Sequence, residues 1–317
     1  WIEMLEANHS FSQKEEWQVN EMKALLLNER GNQDEFLPIW YKLLKQYREA
    51  DRPEDVGKCL LTIANHFVML EDYENALPLY KEAYQLALEH KSIELQQVSG
   101  IMLIKYLCGA GYYSESLEYY NKIKPEIAFN PSMQNEVVKS YMELNKPDSA
   151  RIYLAARLLS ERGDKIVLNC MMAETYIPEG QEDSAFVFLD RAMKSYKEKA
   201  KNYQKQGREA ILPNCFLSPC YLFADLLWKK GKIQQASQYY MIVEPLMKER
   251  VKTPVRMELQ IKALTNFSSF CRETKQYEKA LDLLARRDSV LQTYLEFKAK
   301  NDKKNYAERL KIQELKH

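Results

Sequence analysis

Apolar and small residues recur along most of this chain at helical intervals. In EDYENALPLYKEAYQLA, residues 71–87, Tyr73, Ala76, Tyr80 and Ala83 fall on one side of a helix, with polar residues between them. With Ala76 as anchor, Ala64 and Phe67 stand 12 and 9 residues upstream, and Tyr80 and Ala83 stand 4 and 7 downstream. The same offsets return around Ser116 (Ile104, Leu107, Tyr120, Ile123), Ala150 (Val138, Tyr141, Leu154, Arg157) and Ala185 (Ala173, Tyr176, Leu189, Ala192). They return again around Ala236 (Ala224, Leu227, Tyr240, Val243) and Ala280 (Ser268, Cys271, Leu284, Arg287). A small residue held among bulky ones at this spacing predicts a place where a second helix backbone passes close by. Long β-branched alternating runs are missing, and prolines such as Pro53, Pro125, Pro147, Pro178, Pro213, Pro219 and Pro254 fall between the expected helices, so the pattern predicts essentially no sheet.

The anchors are 40, 34, 35, 51 and 44 residues apart, so two neighbouring steps lie at or next to 34 and the others carry insertions. Gly111-Tyr112-Tyr113, Gly231-Lys232-Ile233 and Gln276-Tyr277 precede anchors where a hairpin turn and a second helix would start. On these residues, over about 20–290, the sequence resembles the tetratricopeptide repeat (TPR) family, in a degenerate form. The resemblance implies an all-α fold, an α-α superhelix or TPR-like solenoid of about 6–7 helical hairpins, ending in a long C-terminal helix.

Three regions are expected. Residues 1–50 read as a degenerate capping hairpin, with Phe36 and Trp40 in the slots that Ala76 and Tyr80 fill one repeat later. Residues 51–288 read as six hairpins with an insertion near 194–215, whose stretch from Lys194 to Arg208 holds six basic residues and one Glu and reads as a solvated helix face. Residues 289–317 read as an exit helix with a broken stripe (Leu291, Leu295, Ala299, Leu310, Leu315) and no cap. The chain begins with Trp1, and this exit helix runs to the last position, which together predict a longer parent protein. That order of parts is similar to the TPR sensor portions of bacterial membrane signalling and transcription regulators, particularly of Bacteroidetes type. The resemblance implies a signalling role, a missing output region and a periplasm-facing rather than cytoplasmic location.

Lys plus Arg number 46 against 45 Asp plus Glu, so no net field draws nucleic acid, and no apolar run is long enough to span a bilayer. Six cysteines sit mostly inside apolar helical patterns without disulfide-framework spacing, and Cys215 and Cys220 have no nearby histidine for zinc. The GxG at Gly109-Ala110-Gly111 has no third glycine, and His9, His66, His90 and His317 are scattered. We therefore expect a non-enzyme with no cofactor and no metal. A structural scaffold without a switch, or an enzyme with dispersed residues, are the alternatives.

By the resemblance, helix A of each hairpin lines a groove that takes a peptide or protein partner. The residue after each upstream small position should face it, which selects Asn65, Lys105, Lys139, Glu174 and Asp225, with Trp228 and Arg272 nearby. Asn65, Lys105 and Lys139 suit an acidic or carboxylate-bearing peptide. Tyr221, Asp225 and Trp228, at i, i+4 and i+7, suit a basic or apolar one, with packing between repeats as the competing use of the two rings. Leu61 and Met102 stand where the carboxylate clamp of chaperone-binding relatives has Lys and Asn, so that clamp is not carried over.

Overall fold

The computed structural model describes residues 11–29, 33–127, 133–160, 164–208, 210–251 and 253–316, with backbone alone at 28–29, 33–35, 124–127, 301 and 303–316. The expectations that rest on His9, His317 and the side chains of Leu310 and Leu315 lie outside the described residues. Among the described residues there are fourteen α-helices and no strand. They are α1 Gln13–Glu29, α2 Gln33–Glu49, α3 Pro53–Met69, α4 Tyr73–Glu89, α5 Ile93–Gly109, α6 Tyr113–Ile127 and α7 Gln134–Glu143. They continue with α8 Pro147–Leu159, α9 Lys165–Tyr176, α10 Glu182–Lys205, α11 Leu217–Lys229, α12 Ile233–Lys248, α13 Pro254–Glu273 and α14 Tyr277–Lys316, with a 3-10 turn at Asn214–Phe216 ahead of α11. The chain forms two compact units, Trp1–Ser140 with Asn301–His317, and Tyr141–Lys300.

The repeating small residues are the reason these helices pair. Ala64 and Ala76, facing each other across α3 and α4, are both at 0% exposure, as are Ala173 and Ala185 in α9 and α10 and Ala224 and Ala236 in α11 and α12. Each lets two backbones approach while larger neighbours such as Tyr80, Leu189 and Tyr240 fill the remaining space. Ser116 stands in for alanine because its hydroxyl donates to the Ile104 carbonyl, 2.8 Å away across the hairpin, so a buried oxygen is satisfied in place of an apolar contact. Phe36 and Trp40 are buried in the first unit, where Phe36 stacks on His66 with ring centroids 5.0 Å apart. That histidine is a packed one.

The joints are as regular as the contacts. Among the described residues nine have positive φ: Asp51, Glu71, Lys91, Asn145 and Lys275, with Gly111, Gly180, Gly207 and Gly231. In every case the next residue's N–H donates five residues back, as Asp72 does to Phe67 (2.9 Å), Lys146 to Tyr141 (2.8 Å) and Gln276 to Cys271 (2.7 Å). This is the Schellman ending, in which one left-handed residue reverses the chain and satisfies carbonyls that the helix leaves open.

Five expected proline breaks behave as read: Pro53, Pro147 and Pro254 open α3, α8 and α13, and Pro178 and Pro213 lie between helices. Two do not. Pro219 lies in the first turn of α11, where a missing N–H costs nothing, and Pro125 lies in the last turn of α6, where only one backbone bond is lost before the helix ends.

Two helix-interior glycines mark closer approaches. A Cβ on Gly57 would stand 2.3 Å from Leu95 Cδ2 and 3.1 Å from its Cγ, so the whole Leu95 side chain would have to move. A Cβ on Gly100 would stand 2.6 Å from Ile123 Cδ1. Gly57→Val should therefore destabilise the first unit by about 1–3 kcal/mol through overpacking, read as a lower urea midpoint. A raised midpoint, the result expected of an open helical glycine, would show that α5 yields freely.

Candidate interaction site

In the first unit, Asn65, Lys105 and Lys139 hold the same position on α3, α5 and α7, each exposed beside a buried residue (Ala64, Ile104, Val138). Packing of the A helices brings them side by side, since α3 adjoins α5 and the Cys108 thiol on α5 reaches the Glu136 carbonyl on α7 at 3.6 Å. The buried Tyr80 donates its hydroxyl to Asn65 Oδ1 at 2.5 Å, which fixes the amide and leaves its NH2 to donate outward. Lys105 Nζ lies 5.2 Å from the Tyr106 ring centroid, and Tyr106 stacks on Tyr80 at 5.3 Å, so the lysine stands on an aromatic floor. Lys139 lies 5.9 Å from the Tyr113 ring. Among the described residues neither lysine makes an ion pair at contact distance. The carboxyl nearest them in effect is Glu136, which burial pushes above the usual range while Lys105 and Lys139 pull it back.

In the second unit the predicted residues divide by environment. Asp225 ties three helices together: its carboxylate accepts the Tyr240 hydroxyl from α12 and the Asn266 amide from α13. Burial raises its pKa, and those two bonds oppose the rise. Tyr221 is 5% exposed and sits in the core, where burial, with Asp225 and Glu174, pushes its hydroxyl up to about 12. Trp228 is half-buried and packs edge-on against Phe270, at 5.6 Å and 88°. Trp228 is thus used between repeats and Tyr221 in the core. Glu174 on α9 is half-buried, with its carboxyl hydrogen-bonded to Ser218 on α11; desolvation pushes its pKa up to about 7, against that bond.

Arg272 is exposed and lines a cavity of about 320 Å³ with Ser269, Tyr277, Leu281, Leu284 and Arg287. Arg287 also bonds Asp288, with Nε at 2.9 Å. A larger cavity in the first unit, about 650 Å³, opens among Glu71, Asp72, Tyr73, Glu74, Tyr112 and Glu115 at the starts of α4 and α6. No group of His, Cys, Asp and Glu among the described residues could hold a metal ion. No helix there is long and apolar enough to cross a membrane.

Residues 217–241 match the tetratricopeptide repeat family. The match covers α11, its left-handed turn at Gly231 and the first half of α12, including the fully buried Ala224 and Ala236. No curated protein matches the chain. A tetratricopeptide repeat points to a protein-interaction module, and the hairpins α3–α4, α9–α10 and α13–α14 share the features of the matched one: a buried small residue in each helix and a Schellman joint.

Sequence reasoning passed over Glu136, Asn266 and the helix B tyrosines. The tyrosines had a readable signal: Tyr80 and Tyr240 both follow their groove residue by 15 positions, and both bond it. Glu136 sits three residues before Lys139, on the same helical face.

Proposed function

We propose that this chain is a non-catalytic, TPR-like binding module that takes an acidic peptide or protein segment along Asn65, Lys105 and Lys139, as the sensing part of a larger bacterial signalling protein. The observation that carries the reading is the pair of exposed, unpaired lysines aligned on successive A helices beside a pre-oriented amide. Two ammonium groups and an NH2 are all donors, and a chain bearing carboxylates offers the matching acceptors. Peptide binding of this kind would bias how the A helices of the first unit lean on one another, and we read α14, continuous from Tyr277 to Lys316, as the exit element that a sensing role needs. A periplasm-facing position in that parent protein fits the sensing role.

The test is fluorescence polarisation with an array of Asp/Glu-rich peptides, using the wild-type chain and the Lys105→Glu/Lys139→Glu variant. Binding that weakens at least tenfold in the variant, worth about 1.4 kcal/mol, and that weakens further with salt supports the site. Equal binding by both proteins, or no preference for acidic over basic peptides, removes it.

A further inference from the structure

The insertion between α10 and α11 does more than lengthen a connection. It returns the chain through the 3-10 turn Asn214–Phe216, which packs against α9, the helix that holds Cys170. Cys215 packs against the buried core cluster that includes Cys170, and each thiol bears on the other's ionisation. Cys170 is buried at 1% exposure within the second unit's core, whereas Cys215 lies at the edge of that core and is open to solvent in part. Cys220, five positions along on α11, is buried as well, so Cys215 alone of the three can meet a solute. We propose that Cys170 and Cys215 form a hydroperoxide-oxidised thiol pair that closes to an intramolecular disulfide, fastening the turn ahead of α11 onto α9.

The division of labour follows from the two environments. The neighbouring Cys170 thiol, helped by a backbone N–H, holds the Cys215 thiol below the ordinary cysteine range, against burial and the nearby Asp164 and Glu174. Cys215 on its other side, with burial, holds the proton on Cys170. Cys215 is therefore the nucleophile and Cys170 the resolving thiol. The Cys215 thiolate attacks one oxygen of the peroxide and the O–O bond breaks; hydroxide leaves from hydrogen peroxide and the sulfur becomes a sulfenic acid. Cys170 sulfur then attacks the Cys215 sulfur, the S–O bond breaks, and the departing hydroxide takes the Cys170 proton as water. Two thiols have given two electrons to one peroxide, with two waters formed in all. Because the turn that carries Cys215 already packs against α9, the second step needs no rearrangement of α9 or α11 beyond the approach that bonding requires.

The experiment treats the intact, natively folded chain with a small excess of hydrogen peroxide, blocks remaining thiols after denaturation and maps the peptides without reduction. The expected result is a fall from six free thiols to four per chain, a mass lower by two hydrogens and a single Cys170–Cys215 bridge within one molecule. Cys215→Ser should keep all its remaining thiols under the same treatment. Cys170→Ser should stop at a sulfenic acid on Cys215 that dimedone traps. Retention of all six thiols in the wild-type chain, a bridge from Cys215 to Cys220, or a bridge between two molecules would overturn the proposal. Since the wild-type map decides it, a Cys170→Ser chain that folds poorly does not obscure the answer.

Discussion

Phe267→Ala should cost about 3–5 kcal/mol, felt first in the last hairpin of the second unit. Phe267 is 1% exposed and stacks on Tyr240 with centroids 4.6 Å apart and planes 6° from parallel. Tyr240 also meets Phe270, and Phe270 meets Trp228, so one ring cluster joins α11, α12 and α13. Lys279, from α14, places its ammonium 4.8 Å from the Phe267 ring centroid and adds a cation–π contact from the far side. Removing the ring leaves a cavity and takes away that cation–π contact, while Lys279 keeps its 2.9 Å bond to Glu244. Stability in a stacked array is a sum of hairpin and interface contributions, so the loss should be local. Hydrogen exchange should show α13 and the first turns of α14 losing protection well before α9 and α10. Uniform loss across the second unit would mean that it unfolds as one block, and an unchanged urea midpoint would mean that the cavity collapses without cost.

The second large effect is a dependence on pH. Glu174 has its folded pKa raised from 4.5 to about 7 by desolvation, so between those values the folded chain keeps a proton that the unfolded chain has released. Unfolding then releases a proton, and stability from this group falls as pH rises from 4.5 to about 7. The fall approaches about 3 kcal/mol at its largest, because each tenfold change in proton affinity is worth roughly 1.4 kcal/mol. Glu174→Gln keeps a neutral side chain that can still bond Ser218 and has nothing to ionise. The difference in urea midpoint between Glu174→Gln and the parent should be small near pH 5 and grow in the variant's favour to pH 8. Comparing the two chains at each pH cancels the titration of Asp225 and Glu136, which are common to both. A difference that does not change with pH would place the carboxyl in water.

Much of the architecture could be read from the sequence because it depends on volume at fixed intervals. Ala76, Ala185 and Ala236 are each at 0% exposure, and a residue that must be small at the crossing of two helices leaves a trace that survives substitution everywhere else. The candidate site was less legible. Helical periodicity puts Tyr221 on the same side as Asp225, but it cannot say how closely α9 approaches α11, and that approach is what buries the ring. Asp225 looked like an acidic group offered to a partner. Its two donors come from 15 and 41 residues away, and the longer of those distances depends on how the intervening hairpin packs. Cys170 and Cys215 were hidden for the same reason, since the loop that joins them lies in the irregular insertion. Lys105 and Lys139 were readable because their role needs only an exposed face, which the helical period does give.

The nine left-handed joints bear on how this surface can change over time. Each reversal is set by the sign of one φ and two backbone hydrogen bonds, to which the side chain of the left-handed residue adds nothing. Glycine holds the position at four joints, while Asp51, Glu71, Lys91, Asn145 and Lys275 hold it at the others, all of them exposed. Those L-residues each accept a local strain of about 1–2 kcal/mol, a tolerance that leaves their chemistry unconstrained by the turn. Acid, base and amide can therefore exchange at the corners of the array without altering how one hairpin follows the next. New charge patterns, and with them new neighbours, can be acquired at these corners while the helix contacts stay as they are.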